Sequence, residues 1–253
     1  MHKEASVTLI PSPLAIAAAE VRLPYTPALG TSEGFAAVQR NLVSLTFPRK
    51  QPDGVFTLSN RELTTQVTWS DSAVTVSTTD YKGFDDFSGL LEAALTAVTE
   101  VSEPPAVERI GLRFINELRP PLEGPALRQW MEWLNPAVLS FADGVADAAS
   151  SLDADLTGFQ TAFSVATGEQ HSVAVRIQAI NGPPVVGSSP LRRTLAENGP
   201  FVLLDLDGHW DGATSKDPFN PSDVLHSVSR LHQTIEEIFL WATTSELRKL
   251  AGL

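Results

Sequence analysis

The chain has 253 residues, 30 acidic against 18 basic side chains and a formal net charge of -12. It holds no cysteine, which excludes disulfides, zinc-thiolate sites, iron-sulfur ligation and cysteine nucleophiles. The excess negative charge argues against broad nucleic-acid binding, because the average field repels phosphate; Arg192-Arg193 is the best basic cluster to weigh against that and Arg248-Lys249 the second, and each reads as ordinary solvated surface.

No signal peptide is expected, since Ser12 and Pro13 interrupt the apolar run Val7 to Ile10. No stretch approaches the roughly 20 apolar residues that span a bilayer. Together these features predict a soluble, cytoplasmic chain with no membrane association.

Leu14 to Leu23 reads as a strand, with Ile16, Ala18, Glu20 and Arg22 on one parity and Ala15, Ala17, Ala19, Val21 and Leu23 on the other. Thr31 or Ser32 can cap a helix carrying Phe35, Val38, Leu42 and Leu45, with Pro48 as its stop. Three strands are predicted next, Val55 to Ser59, Leu63 to Trp69 and Ala73 to Thr79, with Asp71-Ser72 turning between the last two. Phe87, Leu90, Leu91, Ala94, Leu95 and Val98 then follow helical spacing. The pattern repeats without residue identity. Val107 to Leu118 reads as a strand and Leu127 to Leu134 as a short helix. Leu156 to Ala166 and Ser172 to Ile180 read as a hairpin, and Phe201 to Leu206 as a strand. A last helix opens at Pro221.

The expected fold is therefore α+β: two similar β-α-β-β-β-α halves, 1–104 and 105–253, forming an antiparallel and potentially continuous sheet covered by helices and packed as one unit. The run ERIGLRFINEL at Glu108 to Leu118 resembles a strand signature of a sporadically distributed family of bacterial and archaeal proteins of similar length. The opening PLAIAAAEVRLP resembles that family's first strand. FVLLDLDGHW and LHQTIEEIFLWATTSELRKL resemble its last strand and last helix. The resemblance implies one continuous unit spanning the chain and carries over no catalytic residue.

Three groups of residues are candidates for a site. Asp205, Asp207, His209 and Asp211 share a strand face if the strand runs on, and the first three offer oxygen and imidazole ligands for Mg²⁺, Mn²⁺ or Zn²⁺. Gly208 is expected to end or bulge that strand, which leaves a solvent face and a polar turn as the plainer reading. Arg109, Arg113 and Glu117 share a face of their strand, as Glu20 and Arg22 do of theirs. Arg113 suits an anion or carboxylate held bidentately, or an ion pair across the sheet. Trp130 and Trp133 lie on a short apolar segment that cannot bury every side chain, so part of it is exposed or covered by a partner.

His226 and His232 are six apart, which is not the spacing of a helical zinc site. No nucleophile elbow, phosphate loop or dinucleotide fingerprint occurs. The leading expectation is a non-enzymatic binding or regulatory protein that recognises a protein partner, or itself, through a sheet groove or the aromatic helix. The alternatives are a metal-assisted hydrolase centred on DLDGHWD and a binder of small anions through Arg109 and Arg113.

Overall fold

Alternation along the first strand, β1 (Leu14–Arg22), is complete in the computed structural model, which describes residues 13–50, 54–119, 130, 132–140, 158–168, 170–187, 191–212 and 218–250. Ala15, Ala17, Ala19 and Val21 are fully buried and the other parity is not.

The chain continues through a 3₁₀ turn (Pro27–Gly30), α1 (Ser32–Asn41), β2 (Phe47–Lys50), β3 (Phe56–Ser59), β4 (Thr65–Trp69), β5 (Ala73–Thr78) and α2 (Phe84–Val101). It then forms β6 (Arg109–Leu118), β7 (Gln160–Ala166), β8 (His171–Gly182), β9 (Gly199–Asp211), α3 (Pro221–Ala242) and α4 (Ser245–Leu250). Thr31 caps α1, accepting a hydrogen bond from the Gly34 N–H at 3.0 Å. Contrary to the sequence expectation, α1 stops at Asn41, and Pro48 lies inside β2. An edge strand tolerates a residue without an N–H.

The nine strands form one antiparallel sheet in the order β2-β3-β4-β5-β1-β6-β9-β8-β7. The first strand of each half lies at the centre, where β1 pairs with β6. Each also pairs with the last strand of its own half, β5 or β9. All three longer helices cover one face. Phe35 of α1 stacks on Phe56 and Trp69, while Phe87, Leu91 and Leu95 of α2 and Val228, Leu231 and Ile235 of α3 fill the layer above the central strands. The other face carries the alternate parity and, among the described residues, none of these three helices.

Two local features depart from expectation. Gly208 does not end its strand: β9 runs on to Asp211. A side chain there would approach Ile235 Cδ1 to 3.2 Å and Leu231 Cδ2 to 3.3 Å, so the glycine lets α3 close onto the sheet. Trp130 is not a surface residue. Trp130 is 3% exposed and sits in a tight turn. Trp133 is partly buried against the core. The turn is tied to the end of α3 by the Asn135 N–H on Ala242 O and the Thr244 N–H on Trp133 O, each at 3.0 Å. Residues 127–129 of that predicted helix lie outside the described residues.

Candidate functional site

Because β9 continues, Asp205, Asp207, His209 and Asp211 do share the helix-free face, and register sets them against β6: Ile115 opposite Asp205, Arg113 opposite Asp207, Gly111 opposite His209, Arg109 opposite Asp211. Arg113 leans diagonally to Asp205. Its Nε and Nη2 donate to the two carboxylate oxygens at 2.8 and 2.7 Å. Arg176, opposite Asp205 on β8, adds one longer contact at 3.4 Å. Asp205 is buried, and its hydrogen bonds to Arg113 are the first cause that holds that guanidinium above its ordinary pKa.

Both Asp205 oxygens accept from Arg113, and His209 shares a hydrogen bond with the Ser172 hydroxyl at 3.1 Å. These contacts already engage two of the three residues expected to ligate a metal. Among the described residues no group of three or more candidate ligands could hold a metal ion. Glu20 is not Arg113's partner; it pairs with Arg22 two residues along its own strand, at 2.7 Å and near the surface. Arg109 is partly exposed at the other end of β6. Glu117 keeps the parity of Arg113 but is buried, its carboxylate enclosed with Arg119 and with Arg193 of the β8–β9 connection.

The expected hairpin of Leu156 to Ala166 with Ser172 to Ile180 is present as β7 and β8, but sequence reasoning singled out none of the β7 residues as a site. The ladder between β7 and β8 uses Phe159, Thr161, Phe163, Val165 and Thr167, as the Ala179 N–H on Phe159 O and the Thr167 N–H on His171 O establish. Gln160, Ala162, Ser164 and Ala166 therefore point their backbone N–H and C=O groups outward from the sheet edge. All four are exposed, and β7 contains no charged residue and no proline. On its helix side Phe163 meets Trp241 of α3 edge-on, with centroids 6.1 Å apart. Phe163, Trp241 and Leu240 are 36%, 44% and 47% exposed, respectively. On the open side, Ala162, Ser164 and Ala174 form the shallow floor of a depression of about 260 Å³, rimmed by Arg113, Arg176, Asp205 and Asp207.

A second cavity, of about 340 Å³, opens on the helix-covered face between the start of α2 and the middle of α3. Tyr81 sits at its rim, with its phenol pushed up to about 12 by burial first, then by the negative charges of Glu236 and Asp85. Tyrosine in the unfolded chain ionises near 10. Between those two values the unfolded chain releases a proton that the folded chain retains. The Tyr81 contribution to stability is therefore complete below about pH 10 and is lost as pH rises through about 12. A tyrosinate absorbance titration of the two-tyrosine chain is expected to show a late step near pH 12, absent in Tyr81→Phe.

The chain thus has a large antiparallel sheet, helices on one face and aromatic side chains clustered at the surface beside an open edge. No helix among the described residues is long and apolar enough to cross a membrane. No protein-family model and no curated protein matches the chain. Among solved structures, the Mycobacterium tuberculosis type VII secretion system chaperone EspG5, in complex with a PE25-PPE41 dimer, is similar at 12% identity. The match covers 88% of this chain and 74% of that one, with a TM-score of 0.19, below that of a shared fold.

Proposed function

We propose that this is a binding protein that captures an extended segment of a partner protein by adding it to the sheet as a strand beside β7. The observation that carries this reading is the contrast between the two sheet edges. β2 is four residues long and contains Pro48, Arg49 and Lys50, the features that discourage further pairing. β7 has none of them: seven residues, no charge, and four outward-facing backbone positions exposed. Main-chain hydrogen bonds would supply affinity. Selectivity would come from alternate side chains, apolar ones resting on Phe163 and Trp241 and the others lying over the Ala162 and Ser164 floor.

On this reading Arg113, Arg176 and Asp205 are the rim of the partner site rather than a catalytic group, and Trp130 and Trp133 support it from within. The placement of the paired strands β1 and β6 at the centre favours treating residues 1–104 and 105–253 as duplicated halves of one unit, a reading that homologous sequences would test.

Peptides selected from a random displayed library against the full chain are expected to be extended, with apolar residues at alternate positions. Ser164→Pro removes one outward N–H and leaves the β8 ladder intact. It is expected to weaken binding at least about tenfold, the equivalent of one to two net hydrogen bonds, with little change in Tm. Unchanged peptide affinity in Ser164→Pro would contradict the reading. A concentration-dependent dimer lost in that variant would assign the edge to a second copy instead.

A further inference from the structure

We propose a second, independent site: the cavity between α2 and α3 binds a small organic amine, a compact apolar body bearing one protonated nitrogen. Its volume of about 340 Å³ falls within the range of small-molecule sites, about 300–1,000 Å³. The floor is apolar, built from Phe114 and Leu206 of the central strands and Phe239 of α3. Leu14 joins them because a register shift between Leu14 and Ile16 sets it opposite Asn116, on the helix-covered parity, rather than with Ile16.

The rim decides which head group fits. Tyr81 meets Phe114 edge-on at 5.5 Å, and His232 stacks on Phe84 at 3.9 Å, so aromatic rings stand on several sides. Burial lowers the His232 pKa, which leaves its imidazole neutral near pH 7. Lys82 also lines the opening, but its ammonium is paired with Asp80 at 2.6 Å. Glu236 and Asp85 have no ion-pair partner among the described residues, and both raise the Tyr81 phenol through their charge. With Lys82 paired to Asp80, Glu236 is the uncompensated charge lining the opening above the apolar floor. An ammonium placed there gains from the ring faces and the Glu236 carboxylate together, whereas a carboxylate ligand is repelled.

Calorimetric titration of the full chain with phenethylamine, phenethyl alcohol and hydrocinnamate separates the charge from the shape, since the three share one apolar body. The amine is expected to bind about tenfold tighter than the alcohol, and the acid weaker than both. Glu236→Gln, an exposed position, is expected to bring the amine to the alcohol's affinity at unchanged Tm. Leu14→Trp, which fills the cavity, is expected to abolish binding of all three. Absence of saturable amine binding would overturn the proposal. So would an acid that binds as tightly as the amine, or an amine affinity indifferent to Glu236→Gln.

Discussion

Replacing Glu117 by alanine is expected to remove about 3–5 kcal/mol of folding stability, the cost of leaving buried guanidinium charge without its counter-ion. The Glu117 side chain is 1% exposed, Arg193 7% and Arg119 15%. Glu117 Oε1 accepts from Arg119 Nε, and Oε2 accepts from Arg193 Nη1 at 3.2 Å and from the Val185 N–H at 2.7 Å. Arg193 also donates to Val185 O at 3.3 Å, and the Arg119 guanidinium lies 4.5 Å from the Phe201 ring centre. Arg119 Nη2 already lacks a partner, so nothing nearby is spare to compensate for the lost carboxylate. One carboxylate thus pins the β8–β9 connection to the end of β6. The surface pair Glu20–Arg22 is the control: Glu20→Ala is expected to cost less than about 1 kcal/mol. Denaturant midpoints at constant m-value separate the two.

A comparable loss, about 3–5 kcal/mol, is expected for Trp69→Ala. Trp69 is 1% exposed and stacks against both Phe35 of α1 and Phe56 of β3, each at 5.7 Å, in a three-ring cluster. Truncation would open a cavity under α1 that the surrounding sheet cannot collapse into. Trp69→Phe tests the packing account more finely. The indole Nε1–H has no acceptor, so deleting it costs no hydrogen bond and the ring contacts largely survive. Its loss is expected to stay below about 2 kcal/mol. Equal losses for the two variants would mean that the stacking is not what holds α1.

The fold was legible wherever periodicity was undisturbed. The helical spacing of Phe87 to Val98 and the apolar stripe from Val224 to Ile235 sit within α2 and α3, and Asp71-Ser72 turns where expected. β2 was not legible, because a proline and two cations resemble a loop until an edge position is known. β9 was underestimated because Gly208 reads locally as a breaker; only the approach of Ile235 and Leu231 from α3 gives it another purpose.

The site was legible only in part. Parity grouped Arg113 with Arg109, and Asp205 with Asp207 and His209, each within its own strand. That Arg113 would fill the Asp205 carboxylate depended on β9 pairing with β6, a contact spanning 92 positions. Trp130 and Trp133 are close in sequence but turn inward, whereas Trp241 reaches the surface beside Phe163 of a distant strand. An uncharged run, QTAFSVA, was the available signal for an open edge, and it carries that meaning only once β7 is placed last in the sheet.

Amide hydrogen exchange of the full chain with and without a selected peptide tests strand addition most directly. The outward-pointing amides of Gln160, Ala162, Ser164 and Ala166 are predicted to gain protection when the peptide binds, while the β2 edge is unchanged. Bound peptide with no added protection on those four amides would contradict the account.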